Sequence, residues 1–118
     1  MKETKSIVEV NGKKYAMYFN LNVMEAIQEE YGTLDHWGEL TDGKTKAGQE
    51  CDVKALIFGF REMLNEGIEI ENEKNGTQEP LLTKKQAGRL LTDFGLEAMT
   101  DKMNDLVIES AGSEEKNA

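Results

Sequence analysis

The segment ENEKNGTQEPLL has the residue types of a calcium-binding loop. Glu71, Glu73, Asn75 and Gly76 fall at positions one, three, five and six of an EF-hand loop, which needs oxygen ligands and a glycine at such places. The loop also needs a bidentate glutamate at position twelve, where this chain has Leu82. Because the most important ligand is missing, the sequence predicts a solvated acidic loop instead of a metal site.

His36 and Cys51 are the single histidine and the single cysteine of the chain. His36 has no cysteine at ligand spacing and stands beside Trp37, so a solvated turn is the simpler interpretation. Cys51 lies between Glu50 and Asp52, whose negative charges oppose formation of the reactive thiolate. No GxGxxG, P-loop, GxSxG or HExxH pattern occurs. We therefore predict a protein that is not an enzyme, with no catalytic, cofactor-binding or metal-binding residues.

Side chains suited to binding a partner are easier to find. Phe58 lies about 140° round its predicted helix from Val53, so either that helix is buried on two sides or Phe58 belongs to an exposed contact patch. Met99 and Met103 are spaced by four, and flexible thioethers fill core gaps or line grooves that accept helices. Ile108 also lies off the apolar face of its helix. The candidate partner-binding residues are Phe58, Met99, Met103 and Ile108.

The first element that must position these residues is an N-terminal β-hairpin. Asn11-Gly12 tolerates positive φ at both positions and predicts a two-residue type I′ turn, with Val8 opposite Tyr15 and Glu9 opposite Lys14. The predicted inward row is Val8, Val10, Tyr15, Met17 and Phe19. Two strands alone are marginal in water, so the hairpin must pack on helices or pair with another copy through its edge.

A first helix follows the hairpin at once. It begins at Asn20 or Asn22, both good N-caps, and stops at Gly32. One or two short helical turns come next, with Thr33 as their cap. Residues 41–52 are polar and lack periodicity, which predicts a mobile loop.

The clearest helix of the chain has Asp52 as its N-cap and Gly67 as its predicted stop. Its apolar residues recur at helical spacing: Val53, Leu56, Ile57, Phe60 and Leu64. Residues 71–80 then predict a second loop.

Two more helices complete the predicted fold. Thr83 and Gln86 form a capping box at the start of one, and Gly95 separates it from the last. The apolar face of the last helix is Leu96, Met99, Met103, Leu106 and Val107. We predict a single α+β domain over residues 1–111, a hairpin followed by four to five helices, and a flexible tail over residues 112–118.

Composition limits the class of partner. The 118 residues include 14 basic and 23 acidic side chains, a net charge of −9, which argues against nucleic acid or anionic lipid as partners. A single cysteine excludes an internal disulfide. The N-terminus lacks the apolar core of a signal peptide and no apolar run approaches bilayer length, so we expect a soluble intracellular protein without a membrane span.

Three blocks of the chain resemble the tail assembly chaperones of long-tailed bacteriophages. These are KKYAMYFNLNVMEAIQEEYG, DVKALIFGFREMLNEG and LTKKQAGRLLTDFGLEAMTDKMNDLVIESA, and the likeness is one of length, element order and loose motif style. The resemblance implies a non-enzymatic protein of the host bacterial cytoplasm. It further implies binding to the tape measure protein, and to tail tube subunits, before and during tail polymerisation. Self-association through the hairpin is compatible with this role.

A different class of function is also open. An acidic regulatory or decoy protein could occupy a basic or DNA-binding surface of the host, and the negative charge supports that alternative. Against it, the carboxylates are interspersed with lysines and do not form a phosphate-like run. A small hydrolase lacks every constellation of residues that it would need.

Overall fold

The computed structural model describes residues 1–42 and 52–116, with side chains for residues 1–41 and 52–111. Within them a two-stranded antiparallel hairpin is followed by five helices, so the α+β prediction is confirmed. The elements are β1 Thr4–Val10, β2 Lys13–Phe19, α1 Leu21–Tyr31, α2 Leu34–Asp42, α3 Val53–Asn75, α4 Lys84–Phe94 and α5 Leu96–Lys116. Most of the predicted loop 41–52, including Cys51, lies outside the described residues.

The hairpin has the predicted turn and register. Asn11 and Gly12 have φ of 53° and 82°, and the pairs Val8–Tyr15 and Glu9–Lys14 form as expected. Four of the five predicted inward residues are buried, namely Val8, Val10, Met17 and Phe19. Tyr15 is only half-buried, whereas Tyr18, on the opposite face, is 3 % exposed. The hairpin is therefore covered on both faces near the end of β2.

Helix α3 does not stop at Gly67, and that prediction is wrong. The helix continues to Asn75 and ends at Gly76, which adopts the left-handed conformation with φ of 66°. Gly67 is buried in the interior of the helix, where it packs so closely against β2 that a Cβ would overlap the carbonyl oxygen of Ala16. The glycine thus serves close packing between α3 and the outer edge of β2, and the helix covers that edge.

Helix starts follow the sequence closely. The side chain of Asn20, not Asn22, accepts the N–H of Val23 at 3.3 Å. Thr33 and Asp52 likewise accept backbone N–H groups three residues ahead, and Thr83 with Gln86 forms the reciprocal capping box. These contacts satisfy N–H groups that would otherwise lack a partner in the first turn.

Other boundaries and faces differ from the prediction. Helix α2 runs two residues into the predicted loop, and Thr41 is buried with its hydroxyl donating to the carbonyl of Trp37 at 3.1 Å. Helix α5 continues through Lys116, beyond the predicted domain end at residue 111. Val53 and Leu96 are 48 % and 44 % exposed, since each is the first residue of its helix and lies outside the core.

The core fills the space between the inward face of the hairpin and the helices. Trp37 is 1 % exposed, donates its indole N–H to the carbonyl of Ala55 at 2.9 Å, and packs on Gly59, where a Cβ would overlap its ring. Fully buried Phe60 and Leu64 belong to the same cluster. No helix in the described part of the chain is long and apolar enough to cross a bilayer.

Candidate binding site

A cleft of about 730 Å³ lies between the hairpin, the second half of α3, the segment 76–83 and α4. We call it the α3–α4 cleft. Its walls come from β2 and its turn, from α3 beyond Gly67, from residues 77–82 and from the exposed side of α4. The cleft exists because α3 extends two turns beyond the predicted stop and the chain then folds back along it.

Two asparagines of α3 hold the returning segment in place. Asn65 donates to the carbonyl of Leu82 at 3.1 Å and accepts its N–H at 2.8 Å. Asn72 does the same for Glu79, with both distances 3.0 Å. Because the two asparagines are seven residues apart, they lie on one face of α3 and hold the segment at Glu79 and Leu82. One wall of the cleft is thus built without a regular strand.

The hairpin turn closes one end of the cleft. The side-chain amide of Asn11 donates to Asp93 Oδ2 of α4 at 2.9 Å, across 82 residues of chain. The ammonium of Lys13 lies 5.2 Å from the centroid of the Tyr15 ring, a favourable cation–π distance. The conformation of the turn therefore determines the position of this wall of the cleft.

The lining combines apolar side chains with charges of both signs. The apolar part comprises Tyr15, Ile68, Leu81, Leu82 and Leu90, and the charged part comprises Lys13, Lys14, Arg89, Glu71, Glu79 and Asp93. Leu81 is 45 % exposed and is thus an accessible apolar side chain of this lining. Such a surface can bury the apolar side of a chain segment while pairing with charges along the rim.

Phe58 is half-buried on α3 and packs against the core cluster. Its ring makes an edge-to-face contact with Tyr31 of α1, with centroids 5.4 Å apart and an interplanar angle of 75°. Such pairs contribute about 0.5–1.5 kcal/mol beyond the area that they bury. The contact explains Phe58 by packing between α1 and α3 and leaves only part of the ring for a partner.

Met99 and Met103 are 0 % and 1 % exposed and belong to the core cluster. They lie together, but they fill the core and line no surface groove in the folded chain, which is the alternative that the sequence left open. Ile108 is 66 % exposed on α5. None of the four candidate residues lines the α3–α4 cleft, and Ile108 is the only one of the four that is exposed.

Acidic side chains line the side of α3 that faces away from the α3–α4 cleft. Glu66 accepts from the amides of Asn20 and Asn22 at 2.7 and 3.0 Å. Burial raises the pKa of Glu62 above its ordinary value of 4.5; Arg61 lowers it, and Glu66 and Glu69 raise it further. This face is a hydrogen-bonded junction with α1.

Sequence reasoning missed the residues that build the cleft. Asn65 and Asn72 were available as a signal, because two asparagines seven apart on one helix face can each pair with both groups of a passing backbone. The pattern was missed because Asn72 falls within the predicted loop 71–80, whereas α3 continues to Asn75.

Among the described side chains, no group of three or more histidine, cysteine, aspartate or glutamate residues is placed to hold a metal ion. Two residues of the calcium-loop comparison have partners within the chain. The backbone N–H of Leu82 donates to Asn65, and Glu71 accepts from the Tyr18 hydroxyl at 3.2 Å.

No family model, curated protein or solved structure matches this chain.

Proposed function

We propose that the chain is a non-enzymatic tail assembly chaperone that keeps the tape measure protein soluble until it is incorporated into a phage tail. The observation that supports the proposal most is the α3–α4 cleft, with its apolar lining and its rim of both charge signs. A repetitive, long-helical client presents apolar stripes flanked by charges, and this surface is complementary to such a segment. Tail tube subunits are a second client that the family resemblance suggests.

The physical basis of binding would be burial of apolar surface. Each Å² removed from water contributes about 25 cal/mol before ordering costs are subtracted. The net charge of −9 would keep the loaded complex dispersed while the client's apolar surface is covered. The rim charges would set the register of the client more than the strength of binding.

Co-expression with the tape measure protein tests the proposal. We expect the client to move from the insoluble to the soluble fraction and to co-purify with the chain. Leu81→Asp should weaken this effect, because it places a charge at an exposed leucine of the cleft.

Leu96→Asp is the matched control, because Leu96 is 44 % exposed against 45 % for Leu81 and lies outside the cleft. Both variants should keep the circular dichroism spectrum of the wild type. If the wild type fails to solubilise the client, the chaperone proposal is wrong. If both variants bind like the wild type, the client does not use this cleft.

A decoy that occupies a basic host surface is the second candidate, favoured only by the net charge of −9. Salt separates the two functions. Apolar contact survives high ionic strength, whereas an interface of exposed ion pairs weakens steeply with it. We expect the complex with the tape measure protein to persist in about 1 M NaCl, where the Debye length is only ~3 Å.

A further inference from the structure

Helices contact both strands of the hairpin, α3 mainly β2, and α4 and α5 β1, but the outer backbone edges of the two strands differ. Helix α3 covers the outer edge of β2, where the carbonyl of Ala16 approaches Gly67. On the outer edge of β1, the backbone groups of Lys5, Ile7 and Glu9 take part in none of the described hydrogen bonds outside the hairpin ladder. Ile7 is 49 % exposed there.

The register of the hairpin fixes which groups point outward. Val10 and Lys13 flank the two-residue turn and form a hydrogen-bonded pair, and such pairs alternate with non-bonded ones along the ladder. Ile7 and Ala16 are therefore a non-bonded pair, and their N–H and C=O groups point away from each other. The carbonyl of Ala16 obeys this rule, since it faces Gly67. By the same alternation Lys5, Ile7 and Glu9 present donors and acceptors outward from β1.

We propose that the outer edge of β1 binds β1 of a second copy of this chain, antiparallel, with a two-fold axis at Ile7. This register sets Ile7 opposite Ile7 of the other copy, and sets Lys5 of each copy opposite Glu9 of the other. All three pairs are of the hydrogen-bonded type, because their backbone groups point outward. The product is a continuous four-stranded sheet, β2–β1–β1–β2, with the self-complementary interface that two-fold symmetry requires.

The side chains favour this partner over an unrelated strand. Lys5, Ile7 and Glu9 alternate with inward residues, so they share one face, and opposed residues of an antiparallel pair are close neighbours. Charges on a strand edge usually oppose pairing between copies. Here Lys5 and Glu9 lie at equal distances on either side of Ile7. The two-fold axis therefore brings the charges together as two Lys–Glu pairs, with an Ile–Ile contact between them. A lysine or a glutamate at both positions would have placed like charges opposite each other.

Lys5 also has contacts within its own chain. Its ammonium lies 3.8 Å from Glu71 Oε2 and 5.4 Å from the centroid of Tyr18. These contacts hold the lysine on the outer face of the sheet, where the opposed Glu9 would add a second carboxylate. The side chain is 45 % exposed, so room for that carboxylate exists.

Sedimentation velocity over a range of concentrations tests the proposal with charge reversals. The wild type should shift from the 13.3 kDa of one chain towards twice that mass. Glu9→Lys and Lys5→Glu should each raise the dissociation constant about tenfold or more, since each change places like charges opposite each other twice. The double variant Lys5→Glu/Glu9→Lys should restore the dimer.

Glu25→Lys is the matched control, with the same change in net charge at an exposed position of α1. A wild type that stays at 13.3 kDa at every concentration would overturn the proposal. A dimer that is equally insensitive to Glu9→Lys and Glu25→Lys would overturn it too, because the interface would then lie elsewhere. Circular dichroism must show that each variant is folded.

A cross-linking experiment tests the register itself. In a Cys51→Ser background, Ile7→Cys places two thiols across the axis at a Cα separation of about 5.5 Å, within the usual range for disulfides. Glu9→Cys places its two thiols about 13 Å apart, because the opposed residue is Lys5. Oxidation should link Ile7→Cys much faster than Glu9→Cys. Equal rates would overturn the proposed axis. Neither test uses a client, so its result is independent of the chaperone function.

Discussion

The absence of a side chain at Gly67 allows α3 to pack closely against the hairpin. A Cβ at Gly67 would overlap the carbonyl of Ala16, a backbone atom that cannot move without shifting β2. We predict that Gly67→Ala lowers the free energy of unfolding by about 1–3 kcal/mol, the cost of overpacking, despite the better helix propensity of alanine. Urea denaturation followed by circular dichroism measures the change.

Gly88 gives the matched control. It lies inside α4, and a Cβ there would meet only Ile57 Cδ1 at 3.7 Å, an ordinary contact. Gly88→Ala should therefore stabilise the fold by about 0.5–1 kcal/mol, because alanine loses less backbone entropy in a helix. If both substitutions stabilised the protein, α3 and β2 would not be as close as the structure places them.

We predict that Glu62 makes the stability of the fold depend on pH. Its pKa is raised by burial, so the folded state binds the proton more tightly than the unfolded state does. The stability due to this group is fully present below the ordinary value of 4.5 and is lost as pH rises through the raised pKa. Glu62→Gln should therefore be more stable than the wild type at pH 7, with a difference that shrinks towards pH 4.5.

Glu73→Gln is the control for that comparison, since Glu73 is an exposed glutamate of the same helix. The same substitution at this exposed position should leave the free energy of unfolding within about 0.5 kcal/mol of the wild type. A difference between Glu62→Gln and the wild type that stays constant from pH 4.5 to 7 would contradict the assignment to Glu62. Thermal unfolding in a series of buffers measures both variants.

At the scale of elements, features that depend on neighbouring residues could be predicted from the sequence, and features that depend on contacts between distant residues could not. The caps at Asp52 and Thr83 depend on residues three positions ahead, so the sequence alone predicted them, and it narrowed the first cap to Asn20 or Asn22. The end of α3 was predicted wrongly because Gly67 is needed for close packing against Ala16, which lies 51 positions earlier in the chain and in a different element. A glycine that ends a helix and one that admits a neighbour are identical in a periodicity pattern.

The hairpin turn offers a test at the same scale. Gly12 has φ of 82°, which a β-branched residue adopts only with strain. We predict that Gly12→Val lowers the free energy of unfolding by about 1–3 kcal/mol. It should also loosen the end of the α3–α4 cleft, because the neighbouring Asn11 holds Asp93 of α4. Chemical denaturation measures the first effect and amide exchange in α4 the second.

Lys14→Val is the control, because it introduces the same side chain into an exposed strand position where β-branched residues are favoured. It should leave stability within about 0.5 kcal/mol of the wild type. Equal melting curves for Gly12→Val and the wild type would mean that the turn relaxes without cost, contrary to its observed conformation.

At the scale of the whole molecule, the candidate site is a product of folding over long distances. The α3–α4 cleft joins residues near positions 11, 70, 80 and 90, and no local pattern links them. The sequence instead directed attention to Met99 and Met103, whose spacing on one helix face is equally typical of a core. Composition did predict one property of the whole molecule, its excess of negative charge.

That excess should oppose folding. A net charge of −9 on 118 residues repels itself more strongly in the compact state than in the unfolded chain, and salt screens the repulsion. We predict that raising NaCl from about 0.02 to 0.3 M, which shortens the Debye length to ~6 Å, increases the melting temperature by roughly 3–5 °C, the effect of about 1 kcal/mol in a domain of this size.

A charge variant shows whether net repulsion is the cause. Glu25 and Glu29 are exposed on α1 and lie one helical turn apart, so reversing both to lysine keeps a like-charged pair at that place while reducing the net charge from −9 to −5. The variant should melt higher than the wild type at low salt and respond less to added NaCl. An identical response of the two proteins would show that salt acts through local contacts or through hydration, and not through the overall charge.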